Sequence, residues 1–153
     1  MNSTMISTRL SPLSVYVGGG FLLHLLWENF QAPLYAGYTS LRDHFLICFK
    51  ATWGDLLFMF IIYTALAIVH RDPFWVAERS AYAHPVTWII TLLVSALLAV
   101  SFELWAVYVD HRWQYTEAMP LIPILQIGLT PVLQMLLIPL SVLFLISRSS
   151  RLV

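Results

Sequence analysis

The sequence predicts an all-α, polytopic membrane protein, a four-helix bundle forming a single transmembrane domain over residues 1–153. Three observations carry this expectation. The chain is 59% hydrophobic and only 10% charged, whereas a water-soluble globule is normally about a quarter charged. Four apolar stretches are each about twenty residues long, enough to cross a bilayer as helices. They are continuous rather than alternating, as helices require and barrel strands do not.

The spans are expected at 13–35, 46–69, 86–109 and 121–146. Arg9 stands ahead of the first apolar run in the manner of a signal peptide, but no small-residue cleavage site follows, so the run reads as a retained helix. Between the spans lie AGYTSLRDH, HRDPFWVAERSAYAHP and DHRWQYTEAMP, whose Gly, Pro and charges end a buried helix. Pro123, Pro131 and Pro139 all fall in the fourth span, which is therefore expected to be kinked. Trp75, Trp88 and Trp113 fall near the expected borders, where an aromatic belt would lie.

Basic residues accumulate on the cytoplasmic side of membrane proteins. With four spans, Arg9, Arg71, Arg79, Arg148 and Arg151 share one side, and Arg42, Lys50 and Arg112 the other. Both termini are accordingly expected on the cytoplasmic side of a bacterial inner membrane or its equivalent. Eight basic residues balance eight acidic ones, so there is no basic surface for nucleic acid. The lone Cys48 supports neither an internal disulfide nor a zinc ribbon.

Ionisable residues inside a span each cost on the order of 3 kcal/mol or more and point to function. Here they are His24, Glu28, Asp55 and Glu103, from three spans. At about 1.5 Å per residue, Glu28 and Glu103 lie roughly 9 Å inside the outer border and Asp55 roughly 13 Å. The three acids are thus expected to share one pocket, reached sideways between helices, with Gly18, Gly19 and Gly20 allowing close approach or flexing. On the first span Gly20, His24, Glu28 and Gln31 form a stripe at helical spacing, and on the fourth Gln126, Thr130 and Gln134 form another.

Three carboxylates in a low-dielectric pocket need compensation. Protons, a protonated His24 or a divalent metal would each serve. A metal would use His24, Glu28, Asp55 and Glu103; otherwise no cofactor is expected. The acids can also act purely as hydrogen-bonding glue between helices. In the proton reading a buried carboxylic acid protonates an apolar substrate, and the neighbouring Trp27, Trp53 and Trp105 offer faces to a developing cation.

The segments HLLWENFQAPLY, CFKATWGD, SFELWAVYVDHRW and MPLIPILQIGLTPVLQ together resemble the emopamil-binding sterol isomerase and the wider EXPERA group of small membrane proteins. The resemblance covers most of the chain. It implies an intramembrane cavity surrounded by His24 and Glu28, by Asp55 where the isomerase carries Glu, and by Glu103 followed by His111 and Arg112. Gln126 or Gln134 stands for a late Asn. The WE pair and the MP segment are also similar to small membrane terpene cyclases, and WQY to lycopene cyclase domains.

The resulting expectation is a lipid-active enzyme, a proton-initiated isomerase or cyclase of an isoprenoid or sterol-like substrate. Glu28 and Glu103 would be acid and base, with His24 orienting Glu28 and Asp55 tuning both. Trp27, Gln31, Trp53, Trp105, Gln126, Thr130 and Gln134 would contact substrate. Two alternatives remain open: a non-catalytic lipid-binding or accessory subunit of a membrane complex, and proton or metal-ion translocation along the acidic seam. The expected partners are a lipid or isoprenoid, the bilayer, and a second copy or a larger complex.

Overall fold

A computed structural model describes residues 12–149, so Arg9 and Arg151, used in the orientation count, lie outside it. The chain is mostly helical. A π-helical turn over Val15–Gly19 leads directly into α1 (Gly20–Gln31), which closes in a 3-10 turn at Ala32–Leu34. Helix α2 is Leu41–His70 and α3 is the short Arg79–Ala83. They are followed by α4 (Pro85–Tyr108), a hairpin of β1 (Leu121–Ile122) and β2 (Ile127–Gly128), and α5 (Leu129–Ser149).

Three of these, α2, α4 and α5, are long and apolar enough to cross a membrane, with mean hydropathies of 1.8, 2.1 and 2.2. Their outward faces suit lipid. Ile68 of α2, Leu97 of α4 and Leu145 of α5 are 72%, 67% and 54% exposed, as suits an apolar surrounding.

Local sequence sets the helix ends. Ser40 caps α2 by accepting from the Asp43 backbone N–H at 3.3 Å, and Arg71 ends that helix in the left-handed conformation at φ 55°, satisfying its last carbonyls. Pro85 opens α4 where a missing N–H costs nothing. One face of α4 carries Thr87, Thr91, Ser95, Ala99 and Glu103, all buried at four-residue spacing. Small side chains there let α5 come close, and the threonine hydroxyls are satisfied by backbone carbonyls, as in Thr91 to Thr87 at 2.7 Å.

The fourth expected span starts later than the apolar run does. Residues 121–128 form the hairpin, with Leu121 opposite Gly128 and Ile122 opposite Ile127, and α5 begins only at Leu129. A proline early in an apolar run can serve a turn as well as a helix, and Pro123 does the former. Pro131 falls in the first turn of α5, where no donor is needed, and Pro139 alone lies inside the helix.

Trp75 departs from the expected belt as well. It is fully buried, donates its indole N–H to the Tyr63 carbonyl at 3.1 Å, and packs among Tyr16, Tyr63, His70 and Tyr82. It plugs one end of the bundle. At the other end the two connecting segments are tied together by an isolated bridge between Tyr35 and Tyr115. Bonds from Ala36 N to Gln114 O and from Thr116 N to Leu34 O, both 2.9 Å, reinforce it.

Candidate functional site

Beneath that tied end lies a cavity of about 650 Å³. Glu28 reaches it from α1, Asp55 from α2 and Glu103 from α4, and Gln134 of α5 completes the ring. Helical spacing puts Lys50, Ala51, Gly54, Asp55 and Phe58 on one face of α2, and that face is the cavity wall.

Two glutamines knit the acids together. The Gln31 amide donates to Glu28 Oε1 at 2.9 Å and to Gln134 Oε1 at 2.8 Å. The Gln134 amide in turn donates to Asp55 Oδ2 at 3.0 Å and lies 3.0 Å from His24 Nδ1. A carboxylate at each end, able only to accept when ionised, fixes the direction of every amide between them. His24 is fully buried, with its Nδ1 3.4 Å from Asp55 Oδ2. When Nδ1 accepts from Gln134, the ring proton sits on Nε2, which has no partner.

Glu103 is held separately. It is 4% exposed and accepts a short hydrogen bond at Oε2 from the Tyr115 hydroxyl. Burial, and then this bond, push the Tyr115 phenol above the ordinary tyrosine range. The Trp113 indole N–H is a second donor within reach of that carboxyl, although it makes no hydrogen bond of good geometry. His44, Lys50 and Arg112 also line the cavity, and the rest of its wall is largely apolar and aromatic, with Tyr35, Phe58, Phe102 and Met135 among the residues.

Of the expected site residues, Glu28, Asp55, Glu103, Gln31 and Gln134 line the cavity. His24 lies behind them, touching Asp55 and Gln134; the hydrogen bond that orients Glu28 comes from Gln31 instead. Trp27 is half-buried in the packing between helices. Trp53 is 57% exposed and packs on Phe21 and Phe49, and Trp105 lies under the Arg112 guanidinium at 4.9 Å. Thr130 donates to Met119 Sδ at 3.2 Å. Gln126 is exposed at the hairpin, where it bonds the Pro123 carbonyl at 2.5 Å, because the helix expected to carry it starts three residues later. Of the three glycines only Gly20 meets a neighbouring helix: a Cβ there would lie 2.4 Å from Met59 Sδ.

Tyr35, Phe58, Phe102, Trp113 and Tyr115 were not singled out for the site from the sequence. Phe58 had a readable signal, one helical turn beyond Asp55. Tyr115 had none, since a loop of no fixed geometry separates it from Glu103. Among the described residues no group of three His, Cys, Asp or Glu side chains is arranged to hold a metal ion. Comparison with protein-family models, with curated proteins and with solved structures finds no match to this chain.

Proposed function

We propose that the chain is an intramembrane, lipid-active enzyme that isomerises or cyclises an isoprenoid-like substrate by proton transfer, in the manner of the EXPERA isomerases and membrane terpene cyclases that it resembles. The helical segment 12–31 serves as a further span beside α2, α4 and α5, with both termini on the cytoplasmic side of a bacterial inner membrane. The observation that carries the reading is the lining of one largely apolar cavity by carboxylates from three separate helices.

The chemistry needs a donor and an acceptor facing one substrate. Glu28 is the donor: its Oε1 accepts from Gln31, leaving the other oxygen to present a proton to the cavity. Proton transfer to an alkene carbon breaks the carboxyl O–H bond, forms a C–H bond and leaves a carbocation. The aromatic rings of Tyr35, Phe58, Phe102 and Trp113, which line the cavity, stabilise it. Glu103, already an acceptor from Tyr115, removes a neighbouring proton and restores an alkene. A proton returned from Glu103 to Glu28 through the mouth completes the cycle, and nothing is consumed. His24, Asp55 and the two glutamines hold the donor side in place.

The test is incubation of the purified protein in D₂O with geraniol, farnesol or squalene, reading deuterium at alkene carbons by mass spectrometry. Turnover by the natural chain should fall at least about 100-fold in Glu28→Gln and in Glu103→Gln, as expected for loss of a general acid or base. No incorporation by the natural chain, or incorporation undiminished in both variants, defeats the proposal. A lipid retained without exchange would instead favour a non-catalytic lipid-binding protein, a reading to which the cavity's apolar walls also lend support.

A further inference from the structure

The mouth of the cavity differs in charge from its floor. Lys50 and Arg112 both line it, and Lys50 stands nearer the membrane border than Asp55. Lys50 precedes Asp55 by five residues on α2, an axial offset of about 7 Å at the helical rise. Arg112 is fixed rather than waving. Its Nε donates to Asp110 Oδ2 at 2.8 Å, and its guanidinium lies over the Trp105 and Phe102 rings at 4.9 and 5.9 Å. That anchor occupies one donor of a five-donor group. A lysine or arginine near a bilayer border can simply snorkel to bulk head groups, but these two line one cavity, from α2 and from the segment after α4.

Below them lies Gln31, which joins two of the elements that wall the cavity. Gln31 is 4% exposed, and its Nε2 is committed to Glu28 and Gln134. Its Oε1, an acceptor with that orientation fixed, is buried with no partner.

We infer that the occupant is an amphiphile with an anionic head, a phosphate ester, held at the mouth by Lys50 and Arg112, with its isoprenoid chain running inward past Gln31 to the carboxylates. This rests on the proposed function for the identity of the chain, but not on turnover. A head fixed at the mouth places the acids opposite carbons several bonds along the chain instead of the first one. Repulsion between the ionised acids of the floor and an anion gives the ligand one orientation, head outward.

Binding measured in detergent micelles by tryptophan quenching or calorimetry tests this without any reaction. The probes are farnesyl monophosphate, farnesol and inorganic phosphate. Farnesyl monophosphate should bind at least about tenfold tighter than farnesol, and inorganic phosphate alone should not compete at equal concentration. Lys50→Gln, a change at an exposed side chain, and Arg112→Lys, which keeps the charge but loses the planar fork, should each reduce that preference. Lys50→Glu should abolish it. The preference should survive in Glu28→Gln, which separates failure of the head-group assignment from failure of the catalytic reading. Equal affinity for ester and alcohol, a preference untouched by Lys50→Glu, competition by phosphate alone, or no binding of either lipid would each overturn the inference.

Discussion

Gln134 is the residue on which the polar network turns, since His24, Asp55 and Gln31 all meet its amide. It is 1% exposed, so its partners are satisfied by it and not by bulk water. Gln134→Ala should lower stability by about 2–4 kcal/mol, because several buried groups lose their partner at once, whereas Gln126→Ala at the exposed hairpin should change it little. Thermal unfolding in a mild detergent compares the two. Tyr115 makes a second prediction. Burial and the Glu103 bond raise its phenol in the folded state, whereas an unfolded tyrosine ionises near pH 10. Folding stability from this group is therefore complete below about pH 10 and is lost as pH rises further, towards the folded pKa. Tyr115→Phe should make the alkaline limb of a stability–pH curve shallower; an unchanged limb would show that the phenol is not held as described.

At the scale of elements, the contact between α1 and α2 passes through Gly20. A Cβ there would fall 2.4 Å from Met59 Sδ and 2.7 Å from its Cε, and both atoms belong to the end of a flexible side chain. Gly20→Ala is therefore tolerable if Met59 swings aside, but Gly20→Leu should cost about 1–3 kcal/mol by overpacking. Met59→Ala should recover part of that loss. Gly18 has open space around its Cβ position, so Gly18→Ala should be neutral or slightly stabilising. Unfolding midpoints of the four proteins decide the matter. The same scale explains the delayed start of α5. Pro120 and Pro123 invite turns, Gln126 takes a left-handed φ of 53°, and the backbone bond from Leu129 N to Pro120 O at 2.8 Å closes the hairpin. Hydropathy alone does not distinguish an apolar hairpin from the first turns of an apolar helix.

For the whole molecule, the two tied segments around Tyr35 and Tyr115 must lie at one end of the bundle and the Trp75 plug at the other. In a Cys48→Ala background, single cysteines at Thr39 and Glu117 should react with a membrane-impermeant maleimide from one side of sealed vesicles, and one at Ser80 only from the other. Labelling of Thr39 and Glu117 from opposite sides would break the proposed topology.

Most of the architecture can be read from the sequence because hydrophobic length is a one-dimensional property. The extents of α2 and α4 follow from it to within a few residues, and buried charge in an apolar run marks Glu28, Asp55 and Glu103 with no knowledge of their neighbours. Which groups touch is a different kind of fact. That Gln31 rather than His24 binds Glu28, that Tyr115 reaches Glu103 across a loop, and that Trp53 faces outward while Phe58 lines the cavity all depend on helix rotation and loop path. Those are set by side-chain packing between segments distant in the chain, so only the tertiary structure decided them.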